Sequence, residues 1–113
     1  MLSRRGESAP GAIRYRLTLE KPAASPDGGG GKTVVWSPVA AVWGEVVPLK
    51  AEEAAAGEGL ATRITHRIVI RRRGDVAGGD RFRLDGRTFL VRAVHDPAED
   101  GRFLACLAEE MRA

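Results

Sequence analysis

Several stretches of this chain alternate apolar and polar residues, and turn-forming residues punctuate them. In Ile13-Arg14-Tyr15-Arg16-Leu17-Thr18-Leu19-Glu20 the alternation is strict. Successive side chains of an extended backbone point to opposite faces, so this run reads as a half-buried strand with Ile13, Tyr15, Leu17 and Leu19 inward and Pro22 closing it. From Arg63 to Arg73, Ile64, His66, Ile68 and Ile70 share one face, and Arg63, Thr65, Arg67, Val69 and Arg71 share the other. Arg81-Phe82-Arg83-Leu84 and Arg87 to Val94 alternate on either side of Asp85-Gly86. Asp-Gly between alternating runs signals a hairpin, because both turn residues are expected at positive φ.

The segments between these runs complete an all-strand pattern. Residues 33–47 hold Thr33, Val34, Val35, Trp36, Val39, Val42, Trp43, Val46 and Val47, which predicts one long strand with a break or bulge at Ser37-Pro38. A last strand, Arg102 to Glu109, follows the turn Asp96 to Gly101. About six strands with turns at short spacing argue for a closed barrel or a sandwich. The four glycines at 28–31 predict a loop or hairpin tip. Lys32-Thr33 follows them, but Val34-Val35-Trp36 continues as strand, where a phosphate-cradling loop needs a helix. Leu49 to Ala56 has strong helix-forming composition and Gly57 and Gly59 end it, so residues 49–62 read as a short helix and loop excursion between the second and third strands.

A chain of 113 residues supports one domain. Residues 13–113 are assigned to it, and the polar residues 1–12 read as a flexible N-terminal arm. The most apolar stretch, Val34 to Leu49, is interrupted by Ser37, Pro38, Gly44, Glu45 and Pro48, so no membrane-spanning helix is expected. No apolar run follows the two N-terminal arginines, which argues against a secretory signal. With Cys106 the single cysteine, no internal disulfide can form, which suits synthesis in the cytoplasm.

Candidate chemistry is thin. Cys106 lies mid-strand and reads as a small buried hydrophobe, and His66 falls on an isoleucine face. His95-Asp96 stands at a strand end before Pro97, where turn formation explains it. A hydrolase built on these three residues would need an activated nucleophile, which the pattern does not suggest. No metal or cofactor site is expected. The charge is more informative. The net charge is +3, but from Arg63 to Arg92 nine arginines stand against Asp75, Asp80 and Asp85, an excess of six. Solvated outer strand faces explain this, and so does a surface facing nucleic acid or an acidic partner.

An ordered set of short motifs says more than any one of them. It runs Arg14-Tyr15-Arg16-Leu17-Thr18-Leu19-Glu20-Lys21-Pro22, Trp36, Val42-Trp43-Gly44-Glu45-Val46 and Pro48-Leu49. After the excursion come Thr65 to Arg71, Asp80-Arg81-Phe82, Asp85 to Phe89 and Val94-His95-Asp96-Pro97. In this order and spacing the chain resembles the head–tail joining (head closure, or stopper) proteins of tailed bacteriophages and gene transfer agents, over residues 13 to about 109. The resemblance implies a mainly β fold, a small antiparallel barrel, and a structural rather than catalytic role in the virion neck. It implies a homo-oligomeric ring, hexamer or dodecamer, between a portal-side adaptor and a tail terminator or tail tube protein, with packaged double-stranded DNA passing through. The excursion would be the channel or gating segment, carried by Leu49, Lys50, Glu52, Glu53, Gly57, Glu58, Gly59 and Leu60. Arg63, Arg67, Arg71, Arg72 and Arg73 are candidate partner- or DNA-facing residues, and Trp36 and Trp43 candidate interface anchors. The Gly-rich insert at 28–31 and the Ala/Glu-rich excursion depart from the family pattern. The competing reading is a small basic β-barrel that binds nucleic acid.

Overall fold

A computed structural model of the chain describes residues 14–26, 28–50 and 64–111. Six strands run in the order β1 (Tyr15–Pro26), β2 (Lys32–Pro48), β3 (His66–Arg71), β4 (Arg81–Leu84), β5 (Arg87–His95) and β6 (Phe103–Met111). All neighbours are antiparallel, and the ring β1-β2-β3-β6-β5-β4 closes as a barrel. Closure removes the unpaired edges over the length where all six strands meet, though β1 and β2 run on beyond it. No helix occurs among the described residues, and the helix expected at 49–56 falls largely outside them.

Alternation decides what lies inside. Leu17 and Leu19 from β1, Ile68 and Ile70 from β3, Phe82 from β4, Phe89 and Val91 from β5 and Leu104 and Cys106 from β6 form one buried cluster. Tyr15, expected inward, is 41 % exposed, because the barrel ends there and no residue of the cluster caps it. His66 is buried with the isoleucines of its face. Val69 and Ala105, paired across β3 and β6 on the opposite face, are also buried, so that outer wall is covered too.

Pro22 does not end β1. The strand continues to Pro26 and pairs with β2 down to Lys32, so the glycines sit at the tip of a long hairpin. A proline lacks only one donor, and on the outer edge of a two-stranded ribbon no neighbour needs it. From Lys21 to Pro26, β1 pairs with nothing but β2. On its other side, β2 pairs with β3 only from Gly44 onward, so from Lys32 to Trp43 that edge carries no strand among the described residues. Val34, Val35 and Val39 are exposed along this stretch. The structure extends 58 Å along its longest axis against 30 and 27 Å across.

The break expected at Ser37-Pro38 is a bulge one residue later. Leu19 pairs with Ala40 and Glu20 with Pro38, which leaves Val39 as the extra residue. A second bulge leaves Arg92 extra between Val91 and Ala93. The Asp85-Gly86 hairpin forms with Leu84 opposite Arg87, but of its two turn residues only Asp85 takes a positive φ, 54°. The two-residue loop was therefore legible, and the double positive-φ turn expected for it is not what forms.

Candidate functional site

The sequence singled out two kinds of group, buried reactive side chains and exposed basic and aromatic ones, and the fold separates them. Cys106 is fully buried and faces the core, opposite Val94 and Ile68 in the register. Burial pushes its thiol up to about 12, which keeps it protonated and inert. His95 pairs with Ala105, so it points to the other face of the sheet from Cys106 and is exposed.

His66 sits at the end of the barrel. Its Nδ1 is 2.8 Å from Thr65 Oγ1, and that hydroxyl oxygen accepts the Glu110 N–H at 2.8 Å. His66 Nε2 lies 3.5 Å from Arg87 Nη2 and 3.9 Å from Glu110 Oε1. Burial pushes the imidazole below its ordinary value; the Glu110 carboxylate pulls it back up and the Arg87 guanidinium adds to the lowering. Arg87 itself is held by Glu110, with Nε donating at 2.8 Å and Nη2 at 3.0 Å, and the His66 and Phe89 rings meet edge to face at 5.0 Å. Each polar group here is spent on a neighbour and none addresses an open cleft, so the arrangement locks a barrel end rather than activating a nucleophile.

The exposed groups do converge. Where β2 leaves β3 at Gly44, a groove of about 360 Å³ opens beside the edge of β2. Trp43 and Phe103 line it together with Arg14, Arg71, Arg72 and Arg73. Trp43 is 57 % exposed, and the Arg16 guanidinium lies 5.8 Å from its ring centroid. Arg71 stands at the same distance from the ring of Phe103. Such contacts fix the guanidinium over an apolar face without neutralising it. Arg73 is neutralised: its Nε and Nη2 donate to the two Asp75 carboxylate oxygens at 2.8 and 2.9 Å. That pair holds the Asp75 carboxyl below the usual range. Arg72 Nη1 is 3.7 Å from Asp96 Oδ2. The Asp96 carboxylate is already held by the Gly101 and Glu99 N–H groups, which lower its pKa. Arg14 and Arg71 have no carboxylate partner among the described residues.

The candidate basic residues Arg71, Arg72 and Arg73 thus meet the candidate anchor Trp43. Arg67 lies apart, half-buried, its Nε without a partner. Trp36 belongs elsewhere: Arg81 stacks over it at 4.3 Å and donates from Nε to Glu20 Oε1, at the root of the β1–β2 ribbon. Beside it, Lys21 donates to the buried Asp80 at 2.7 Å. Of the excursion candidates, Leu49 is half-buried and Lys50 exposed; the Leu49 N–H donates to the Thr65 carbonyl at 3.0 Å, so the excursion leaves and rejoins the barrel side by side. Glu52, Glu53, Gly57, Glu58, Gly59, Leu60 and Arg63 lie outside the described residues. Sequence reasoning missed Arg14 and Phe103 as partners of Trp43. The outward phase of Arg14 was visible, but nothing local says that 14, 43, 71 and 103 meet.

The profile of the family described as phage head completion protein matches residues 9–111. Among solved structures, a chain of the virion of a native gene transfer agent particle is 32 % identical, with 89 % of this chain and 98 % of that one covered and a TM-score of 0.63. The solution structure of a protein from Shigella flexneri 2a is 25 % identical, covering 88 % of this chain and 94 % of that one, with a TM-score of 0.65. No curated protein sequence matches at a significant level.

Proposed function

The chain belongs to the phage head completion protein family, and on that premise we propose that it is the stopper of the neck: a ring that closes the DNA-filled head and gives the tail a place to dock. A structural role at the head–tail junction, in association with other head and tail proteins, follows from the family and from the likeness to a gene transfer agent virion chain. The ring, a hexamer or dodecamer, its portal-side adaptor, its tail terminator or tail tube partner and the double-stranded DNA in its channel are the finer parts of the proposal.

The observation that carries it is the extent of the family match, 9–111, which takes in all six strands of the closed barrel. A closed barrel is a rigid wall from which loops can project, and contacts between unlike patches of identical copies close into rings. Residues 13–113 act in this reading as one domain, with 1–12 as an arm. Residues 49–62 are proposed as the channel element; in support, both of its ends are pinned at one rim by Leu49, Pro48, Thr65 and His66. The reading needs no catalysis, and the inert Cys106 and the locked His66 accord with that.

Nucleic-acid binding as the primary role is less well supported. Single-strand binders stack successive bases on a series of exposed aromatic rings, but Phe82 and Phe89 are fully buried, which leaves Trp43 and Phe103 at the groove. Electron microscopy of particles from a producer strain lacking the gene tests the stopper reading. Empty or DNA-losing heads with unattached tails are expected, and intact tailed particles would remove it.

A further inference from the structure

The edge of β2 and the groove beside it remain unused by the barrel. From Lys32 to Trp43 one side of β2 has no strand partner among the described residues. A strand edge presents a row of N–H and C=O groups, and proteins ordinarily cover or blunt a long apolar one. The other edge of the ribbon is blunted by Pro22 and Pro26, whereas between Val39 and Trp43 this one has no proline and exposes Val39, Ala41 and Trp43. The groove meets this stretch at Ala41, Val42 and Trp43, and Arg71, Arg72, Arg73 and Phe103 also line it.

We propose that the β2 edge from Val39 to Trp43, with the arginine-lined groove beside it, receives an extended acidic segment of a partner protein as an added strand. The inference deepens the stopper reading and rests on it for one point, that the partner is another virion protein. Five residues of strand give about 17 Å of backbone pairing, a usual strand length. Main-chain hydrogen bonds would supply affinity and side-chain contacts specificity. Trp43 and Arg71 are the residue types that dominate interface energetics. Arg14 and Arg71, which have no carboxylate partner among the described residues, set the acidic preference.

Other occupants fit less well. The ribbon of a second copy carries Lys21 and Lys32 against a single carboxylate, Asp27, so its charge is wrong for the groove. The acidic turn Asp96 to Asp100 is tied into a tight turn, with Asp96 accepting the Glu99 and Gly101 N–H groups, and is not extended. A DNA duplex has no main-chain ladder to offer a strand edge.

The test is photo-crosslinking in assembled particles, with a photoreactive phenylalanine analogue in place of Ala41 and the joined peptides sequenced. Hydrogen exchange of the free and particle-bound protein accompanies it. The expected result is a crosslink to an acidic stretch of a different virion protein, with alternate amides between Val39 and Trp43 protected on assembly. Arg71→Glu together with Trp43→Ala should lower incorporation into particles by about tenfold or more, the effect of losing a hot spot. Crosslinks to DNA or to a second copy, or unprotected β2 amides in particles that contain the protein, would overturn this inference alone. Absence of the protein from particles would overturn the stopper reading and this inference with it.

Discussion

Gly44 and Ile70 face each other across β2 and β3, so close that a Cβ on Gly44 would stand 2.9 Å from Ile70 Cγ2. The same Cβ would lie 2.9 Å from Leu17 Cδ1 and 3.2 Å from the Val69 carbonyl oxygen, part of which is backbone and cannot rotate away. The glycine between Trp43 and Glu45 is therefore a packing requirement at the point where β1, β2 and β3 meet. Gly44→Ala should destabilise by about 1–3 kcal/mol, the usual cost of overpacking a core. Thermal melts of the wild type and variant check it; an unchanged melting temperature would show that the strands can separate freely there.

How far this could be read from residues alone depends on locality. The inward phases of Leu17, Leu19, Ile68, Ile70, Phe82 and Phe89 follow from alternation, and the structure buries all six. Asp85-Gly86 marked a hairpin because two residues suffice to turn the chain. Pro22 misled, because proline ends a strand only when a neighbour needs its N–H, and the ribbon edge has no such neighbour. The groove was half legible. Arginine phase in β3 was visible, but its meeting with Trp43, Arg14 and Phe103 depends on where β2 parts from β3, a non-local event.

His66 should make stability depend on pH. Its imidazole is pushed below the unfolded value of about 6.5 by burial, with Glu110 opposing and Arg87 reinforcing. Between the native and unfolded values the unfolded chain binds more protons, so stability falls as pH drops below about 6.5 and levels off beneath the native value. Asp75 and Asp96, whose pKa values are lowered, lose their contributions only at lower pH, as protons reach their carboxylates. Denaturant melts from pH 8 to pH 4 should show the His66 segment in the wild type and not in His66→Gln. An identical profile in both would remove the assignment.

Cys106 should be silent until the barrel opens. A thiol pushed up to about 12 and fully buried presents almost no thiolate at pH 8. An aromatic disulfide reagent should find one thiol per chain in denaturant and essentially none in buffer. Its slow reaction in buffer should track the population of the open form, and so quicken in Gly44→Ala. Rapid labelling of the native protein would mean that β5 and β6 part locally at Val94 and Cys106.

The β1–β2 ribbon should be separable from folding but not from assembly. Its residues beyond Lys21 and Ser37 pair only with one another, and none belongs to the buried cluster. A two-stranded ribbon is marginal in water by itself, so keeping one with Val34 and Val35 exposed implies a surface that covers it. Replacing residues 24–34 by Asn-Gly would close the hairpin at the Ala23–Val35 pair, whose two residues can exchange both N–H···O bonds as a two-residue turn requires. Trp36 would keep Arg81 and Glu20, so the root of the ribbon stays intact. The melting temperature should change by only a few degrees, since exposed positions outside the core contribute within about ±0.5 kcal/mol each. Incorporation into particles should nevertheless collapse in a complementation assay scored by electron microscopy. Normal tailed particles from the shortened protein would mean that the ribbon contacts nothing needed for assembly. A lost melting transition would mean instead that it braces the barrel.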